Sequence, residues 1–307
     1  LQLMKKLLGI ALASAAAGLC LSALKKASDE QTVELSPVKR SSPNKKAILV
    51  VSFGTSYAQT REKTIGAIEE DFRSAFPEYT IRRAFTSKMI IKKLRERDGI
   101  EVDTVAQALE KLEAEGYSTV ICQPTHVMGG FEFDDVKREV ENWKGRFDHI
   151  ACGWPLLTSS EDYEQVTEAL VQEFSDIPSD AALVLMGHGT EHPANATYPA
   201  LDYRLKARGC KNFFVGTVEG YPDLQTVMQE VAAIHASKVF LAPLMVVAGD
   251  HAINDLCGEE EDSWKSCFEQ AGYQTEPILK GLGEYPAFRR IYLEHCVQCI
   301  QSLESEQ

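Results

Sequence analysis

Residues 48–55 (ILVVSFGT) and residues 183–190 (LVLMGHGT) decide the fold, because one pattern occurs twice in the same chain. Each is a short apolar run that ends in a glycine-containing turn, which is typical of a buried strand. Residues 123–132 (QPTHVMGGFE) and 242–251 (APLMVVAGDH) form a second pair of the same kind. This internal repeat predicts a molecule of two similar halves.

Stretches with helical periodicity lie between these apolar runs, and strands that alternate with helices form parallel sheets from βαβ units. The predicted strands are residues 47–52, 79–85, 119–123, 149–152, 182–186, 212–216, 238–242 and 274–279. The predicted helices are residues 57–76, 102–115, 133–145, 162–174, 224–235 and 253–271, with a C-terminal helix in 284–307. We therefore predict an α/β fold of two similar halves, each a small parallel β-sheet flanked by helices, with an active-site cleft between them.

Three polar side chains follow three successive strands of the second half. They are His188 in the string GHG, Glu219 in GTVEG and His251 in GDH. The carboxyl ends of parallel strands meet at one edge of a sheet, so we expect these groups to lie close together. Each residue alone is more often structural than functional, and the prediction depends on their coincidence. Imidazole and carboxylate ligands suit a divalent first-row metal, and three ligands leave coordination positions open for chemistry.

The first half carries different side chains at the equivalent positions, Phe53, a residue near Ser87, and Glu132. It therefore cannot build the same metal site. We predict that Glu132 acts from the opposite wall of the cleft as a catalytic proton acceptor, while His188 combines metal binding with a catalytic role. His126, at another strand end, has two interpretations, a substrate-lining residue or a structural one.

The turn after the first strand is a candidate anion-binding site, because it precedes a helix whose first N–H groups attract negative charge. The predicted substrate-binding residues of this turn are Ser52, Gly54, Thr55 and Ser56.

Charge and motifs exclude several classes of function. The chain of 307 residues has 32 Lys and Arg against 45 Asp and Glu, a formal net charge of −13. This argues against a nucleic-acid partner, since such binding needs a basic face. The sequence also contains no P-loop, no G-x-S-x-G elbow and no G-x-G-x-x-G after a strand.

Residues 1–26 differ from the rest of the chain. Lys5 and Lys6 precede an uncharged, alanine-rich stretch, residues 7–24, which is typical of a secretory signal peptide, with a retained membrane anchor as the alternative. Residues 27–45 are polar and form a predicted linker. We therefore expect a periplasmic or otherwise exported protein, or one tethered to the membrane. The first half is then residues 46–157, and the second half, with the metal site, is residues 158–283.

The cysteines are compatible with an oxidising compartment. Two disulfides are considered, Cys257 with Cys267 and Cys296 with Cys299. Neither is needed for folding, because a chain of this length can bury a sufficient core.

Seven stretches carry a family resemblance: residues 48–57 (ILVVSFGTSY), 84–94 (AFTSKMIIKKL), 97–103 (RDGIEVD), 186–190 (MGHGT), 243–255 (PLMVVAGDHAIND), 262–265 (DSWK) and 281–286 (GLGEYP). With them the chain resembles the anaerobic cobaltochelatase family of cobalamin synthesis, the CbiK type. The resemblance extends over nearly everything from Lys45 to the C-terminus.

The resemblance implies a class II chelatase fold and insertion of Co²⁺ into sirohydrochlorin, an octacarboxylate tetrapyrrole. It implies metal binding by His188, Glu219 and His251, and a first-half glutamate that matches Glu132. Typical members are cytoplasmic, whereas this sequence carries an export-type N-terminus. The alternatives are Fe²⁺ or Ni²⁺ as the metal, or an exported metal- or haem-binding or trafficking protein on the same fold. A homo-oligomer is compatible with either interpretation.

Overall fold

A computed structural model describes residues 45–305. The predicted signal peptide or anchor lies outside the described residues, as does nearly all of the predicted linker. Within the part of the chain that is described, no helix combines the length and the apolar character needed to cross a membrane.

Two four-stranded sheets form the frame of the molecule, and every strand pair in them is parallel. Their strand orders are β2-β1-β3-β4 and β6-β5-β7-β8, so one topology occurs twice. The strands are β1 (Lys46–Ser52), β2 (Tyr79–Phe85), β3 (Thr119–Pro124), β4 (His149–Cys152), β5 (Ala182–Gly187), β6 (Phe213–Thr217), β7 (Lys238–Pro243) and β8 (Gln274–Pro277). The predicted α/β fold of two similar halves is confirmed.

Helices cover both sheets. They are α1 (the consecutive segments Ala58–Arg61, Glu62–Gly66 and Ala67–Ala75), α2 (Lys88–Lys93 and Leu94–Asp98), α3 (Val105–Ala114), α4 (Phe131–Asn142), α5 (Ser160–Glu173), α6 (Thr197–Ala207), α7 (Leu224–Ala233), α8 (Trp264–Gln270) and α9 (Pro286–Ser305). Short helical turns occur at Pro193–Ala196, Ala252–Leu256 and Leu282–Glu284.

The prediction of one helix at residues 253–271 is wrong, because the structure has two elements there, the turn Ala252–Leu256 and α8. The hydroxyl of Ser263 accepts a hydrogen bond from the N–H of Ser266 and so starts α8 afresh. Helices α2 and α6 are absent from the prediction. Ser87 caps α2 in the same way, by accepting from the N–H of Ile90.

Side chains on the central strands alternate between two cores. On β1, Ile48 and Val50 belong to a cluster that includes residues of both halves, whereas Leu49 packs in a separate cluster with α3 and α4. On β5, Leu185 lies in the shared cluster and Val184 in one with α7 and α8. Both faces of each sheet are therefore covered, which explains the continuous apolar runs in the sequence.

The last helix of each half crosses to the other half. Helix α5 follows β4 of the first sheet but packs on α6, which lies on β6 of the second sheet. Helix α9 follows β8 of the second sheet but packs on β3, β4 and α1 of the first. The halves are therefore interlocked, and the predicted separate C-terminal helix is part of the first half's packing.

The described cysteines are all free thiols, so neither expected disulfide is present among residues 45–305. Burial raises the pKa of Cys257 to about 11 and that of Cys299 to about 11. Because the thiolate is the reactive form, these side chains are unreactive at neutral pH.

Candidate metal-binding cleft

Two turns of the same design end the central strands. Gly54 follows β1 with a φ of 102°, and Gly189 follows β5 with a φ of 84°. Such left-handed conformations favour glycine over any residue with a side chain. The residue just before each glycine, Phe53 or His188, is thereby placed at the carboxyl edge of its sheet.

A threonine completes each turn. The hydroxyl of Thr55 accepts a hydrogen bond from the N–H of Tyr57, and that of Thr190 accepts from the N–H of His192. The two sheets thus end in turns that match in backbone conformation and in side-chain hydrogen bonding, while the residues that they present differ.

The three predicted metal ligands of the second half lie together. Nδ1 of His188 is 3.8 Å from a carboxylate oxygen of Glu219. The rings of His188 and His251 are perpendicular, with their centroids 4.6 Å apart. A further link joins the backbones of the first two, since the N–H of Glu219 donates to the carbonyl of His188 at 2.7 Å.

Hydrogen bonds set the tautomers of both histidines. Nδ1 of His188 lies 2.9 Å from the carbonyl oxygen of Gly189, and Nδ1 of His251 lies 2.7 Å from a carboxylate oxygen of Asp255. Carbonyl and carboxylate oxygens only accept, so each Nδ1 donates to its oxygen and Nε2 is the ring nitrogen left for a metal ion. A metal-binding histidine commonly has this arrangement, with its other nitrogen held by an oxygen acceptor.

The three side chains are neighbours, but they do not yet converge on one point. Across residues 45–305 no three His, Cys, Asp or Glu side chains form a group arranged to hold a metal ion. The carboxylate of Glu219 faces Nδ1 of His188, the nitrogen already bonded to Gly189. Because the side chain of Glu219 is 59% exposed, it is free to rotate toward the Nε2 atoms.

The first half presents a different set at the same three places. Phe53 and His188 are the first residues after β1 and β5, and Ser87 and Glu219 are the second after β2 and β6. Glu132 is the eighth residue after β3, as His251 is the eighth after β7. Glu132 lies in the first turn of α4, half-buried, and Phe53 is exposed.

The predicted substrate-binding turn is largely internal. Ser52, Gly54, Thr55 and Ser56 are all buried. The hydroxyl of Ser52 lies 2.8 Å from that of Thr125, and the buried guanidinium of Arg61 donates to the carbonyl of Thr55 at 3.2 Å. The side chains of Ser52 and Thr55 therefore have structural partners, and a direct contact with substrate stays a prediction.

His126 is the second residue after β3, and both of its ring nitrogens are buried without a hydrogen-bond partner among the described residues. Burial lowers the pKa of His126 to about 4, so the ring is neutral at physiological pH. An unsatisfied buried polar group costs about 1–3 kcal/mol. That cost favours a binding role for His126 over a purely structural one.

The family model described as cobalt chelatase (CbiK) matches residues 46–301. The chain belongs to this family. It is 44% identical over 262 residues to the sirohydrochlorin cobaltochelatase of Salmonella typhimurium, covering 85% of this chain and 99% of that protein. It is 34% identical over 273 residues to the sirohydrochlorin cobaltochelatase CbiKC of Nitratidesulfovibrio vulgaris, covering 88% of this chain and 96% of that protein.

Solved structures agree on the chelatase fold. SirB from Bacillus subtilis with Fe³⁺ superposes with a TM-score of 0.59 at 14% identity, covering 85% of this chain and 98% of that one. DR2241 from Deinococcus radiodurans, a multi-domain protein with structural similarity to chelatases, gives a TM-score of 0.53 at 16% identity, covering 83% of this chain and 55% of that one.

Sequence reasoning missed two contacts across the cleft of this CbiK-family chain. The hydroxyl of Tyr57 donates to a carboxylate oxygen of Asp250 at 2.9 Å, and this hydrogen bond raises the pKa of Tyr57. Nε2 of His192 lies 3.3 Å from a carboxylate oxygen of Asp134. The side chain of His192 is only 20% exposed. The repeat pattern, which places Tyr57 and His192 at matching positions, was the one available signal.

Proposed function

We propose that this chain is a sirohydrochlorin cobaltochelatase, which inserts Co²⁺ into sirohydrochlorin and releases two protons. The observation that carries the proposal is the 44% identity to the Salmonella enzyme over 99% of that enzyme's length. The adjacent imidazoles of His188 and His251, beside the carboxylate of Glu219, support it with a suitable set of metal donors.

In the proposed reaction, His188, Glu219 and His251 hold the incoming Co²⁺. The Nδ1 atoms are bonded to oxygen acceptors, so the Nε2 atoms are the donors available to the ion. Glu219 adds a negative charge that offsets part of the ion's charge. All three side chains are at least one-third exposed, so the ion can arrive from solvent and leave for the macrocycle.

Insertion of a divalent ion into a free-base tetrapyrrole expels two pyrrole protons, which the site must accept. The imidazoles of His188 and His251 are proposed proton acceptors once the metal has left them, and His188 is the proposed catalytic residue of the two. Glu132, at the equivalent position of the other half, is the proposed acceptor on the opposite wall. This arrangement assigns metal binding to one half and proton removal partly to the other.

Substrate binding is proposed for the cleft between the carboxyl edges of the two sheets. The exposed ring of Phe53 offers an apolar surface to the macrocycle, and the unpaired imidazole of His126 offers a hydrogen bond. Backbone N–H groups of the turn at residues 54–56, which leads into α1, are the proposed donors to a substrate carboxylate.

Export is proposed for this chain from residues 1–44 alone. A reporter fused after Asn44 should become extracytoplasmic, and the mature protein should lack residues up to about Ala27, as signal-peptide cleavage requires. The same N-terminal sequence supports a second candidate function, metal or haem trafficking without turnover. Detection of only full-length chain in the cytosol would contradict both the export and the trafficking proposals.

The activity is tested with the purified full chain, sirohydrochlorin and Co²⁺, followed by the absorbance change of metal insertion. We expect insertion well above the protein-free rate, and parallel reactions with Fe²⁺ and Ni²⁺ rank the metals. A rate equal to the protein-free rate with all three metals would contradict the chelatase proposal and favour trafficking.

A further inference from the structure

Two cross-cleft contacts occupy equivalent places in the two halves. Tyr57 is the fifth residue after the end of β1, and His192 is the fifth residue after the end of β5. Tyr57 contacts Asp250, the seventh residue after β7. His192 contacts Phe131, the seventh residue after β3, with ring centroids 4.8 Å apart and the rings nearly perpendicular.

Each contact ends on the residue directly before a proposed functional side chain. Asp250 precedes His251, and Phe131 precedes Glu132. His192 adds a second attachment to the same turn of α4, the 3.3 Å contact between its Nε2 and Asp134. Glu132 therefore lies between the two residues that His192 holds.

The turns that carry Tyr57 and His192 also have the same hydrogen bonding. Tyr57 and His192 each donate a backbone hydrogen bond to a threonine hydroxyl two residues earlier, after a glycine with positive φ. The loop of Tyr57 makes a further contact with the opposite half, since the hydroxyl of Thr60 reaches the carbonyl of Ala248 at 3.5 Å. Each turn thus forms a fixed support from which one side chain extends to the other half.

We propose that Tyr57 and His192 are symmetry-related positioning residues, one for each wall of the cleft. Tyr57 in the first half fixes the loop that carries His251, and His192 in the second half fixes the helical turn that carries Glu132. The proposal rests on the proposed chelatase function for the roles of His251 and Glu132. It assigns the two residues separable effects, Tyr57 on metal affinity and His192 on the rate of proton removal.

The alternative is that both contacts only join the two halves. In that case removal of either would loosen the cleft as a whole and would change metal affinity and rate together. The two outcomes can be distinguished because each proposed effect is local. A hydrogen bond or aromatic contact of this kind contributes a factor of about 2–10 to a binding or rate constant.

The test uses the full chain with Tyr57→Phe and His192→Asn. Tyr57→Phe keeps the ring and removes only the hydroxyl that reaches Asp250. His192→Asn keeps a side-chain acceptor for the N–H of Ala194, which His192 caps, but is too short to reach Phe131. Tyr203→Phe, on the exposed face of α6 and 75% exposed, is the matched control.

Three quantities are measured for each variant: the dissociation constant for Co²⁺ alone, kcat for insertion at saturating Co²⁺, and amide hydrogen exchange of the peptides containing residues 131–134 and 249–253. For Tyr57→Phe we expect about 3–10-fold weaker Co²⁺ binding, kcat within about twofold, and faster exchange at 249–253 only. For His192→Asn we expect kcat lower by about 3–10-fold, Co²⁺ binding within about twofold, and faster exchange at 131–134 only.

Equal changes in affinity and kcat in both variants, or faster exchange of both peptides in each variant, would overturn the proposal. So would values for both variants that match those of Tyr203→Phe. The wild-type protein tests the chelatase function separately. If it shows no insertion, the Co²⁺ affinities and the two exchange patterns still decide whether each residue positions its own wall.

Discussion

The two halves of the molecule share their strand order and the design of their central turns, yet they differ at three equivalent positions that follow strand ends. The second half has His188, Glu219 and His251 there, and the first has Phe53, Ser87 and Glu132. The second set combines two imidazoles with a carboxylate, the donors that suit a first-row metal, whereas the first set offers a single carboxylate. A repeated fold can therefore provide two opposed walls of matching shape, with the chemistry placed on them by single side chains.

Polar contacts fix helix α9 in addition to apolar packing. Nε2 of His295 lies 2.9 Å from a carboxylate oxygen of Asp162 in α5, and its Nδ1 lies 3.1 Å from the carbonyl of Trp154. Arg289 adds an ion pair to Asp71 at 2.6 Å. The interlocking that keeps the two walls in register therefore depends on a few buried polar contacts as well as on the shared core.

The largest effect is expected from Asp162→Ala, which breaks this attachment. Asp162→Ala leaves Nε2 of His295 and the N–H groups of Thr158 and Ser159 without their shared carboxylate partner. Each buried polar group that loses its partner costs about 1–3 kcal/mol in the free energy of unfolding. Urea denaturation measures the loss. Asp135→Ala, which removes an exposed ion pair with Arg138, is the control and should cost less than about 1 kcal/mol.

The same pair gives the stability a defined pH dependence. Burial acts to raise the pKa of Asp162, but hydrogen bonds from His295 and from the N–H groups of Ser159 and Thr158 outweigh it and lower the pKa. A carboxyl whose pKa is lower in the folded state stabilises the protein above its unfolded pKa of about 3.9, and this contribution disappears as pH falls through the folded value. As the pH falls below about 4, the free energy of unfolding of Asp162→Ala should therefore decrease less than that of the wild-type protein. If the free energy of unfolding of the variant and of the wild-type protein decreased in parallel with falling pH, Asp162 would not have this role.

The next largest effect is expected from the residues that distinguish the second half. His188→Ala and His251→Ala should each lower the rate of Co²⁺ insertion at least about tenfold, about 1.4 kcal/mol of barrier or more. The double variant should be little worse than the worse single variant, as expected if the side chains share one coordination sphere and function as one unit. Stopped-flow absorbance and Co²⁺ titration measure rate and affinity. Wild-type values in both single variants would place the metal site elsewhere.

The fold could be predicted from the sequence because it depends on local patterns that occur twice. Apolar runs such as residues 48–52 are buried on both faces and end in turns marked by glycine. The apolar run and the glycine turn that follows it are therefore sufficient to identify each strand. The same rule placed His188, Glu219 and His251 at one sheet edge, because strand ends of a parallel sheet meet there. Helices α2 and α6 were not predicted from these patterns. The signal for α2 is a single capping residue, Ser87, and α6 is only weakly amphipathic.

The contacts that complete the site could not be predicted, because they join residues far apart in the sequence. Nothing local to Tyr57 indicates that its hydroxyl reaches Asp250, 193 residues away. The pairing of His295 with Asp162, 133 residues apart, is equally non-local. Each depends on how the two halves pack against each other, which the order of strands and helices leaves undetermined.

A smaller effect is expected when the first half loses its charged group. Glu132→Gln keeps the size of the side chain and removes its capacity to accept a proton. The insertion rate should fall about three- to tenfold, which is less than the factor of about 100 or more for a sole general base, because the imidazoles can accept part of the released protons. Co²⁺ affinity should stay near that of the wild-type protein, since the proposed metal donors are residues of the other half. A parallel loss of Co²⁺ affinity would instead make Glu132 a metal ligand. The proposal that one half binds the metal while the other accepts protons would then be wrong.

The smallest effect is expected at Phe53, which occupies the position of His188 in the first half. Its ring is 43% exposed at the carboxyl edge of the first sheet, where an apolar face can stack on the flat macrocycle. Phe53→Ala should raise the KM for sirohydrochlorin about two- to fivefold, the range of one aromatic contact, while kcat and Co²⁺ affinity stay unchanged. Phe53→Tyr keeps the ring and should retain the wild-type KM. A large fall in kcat for Phe53→Ala would mean that this residue takes part in the chemistry, and equal KM values for the wild-type protein and both variants would mean that the macrocycle does not contact this wall. The position equivalent to His188 would then serve neither metal nor macrocycle.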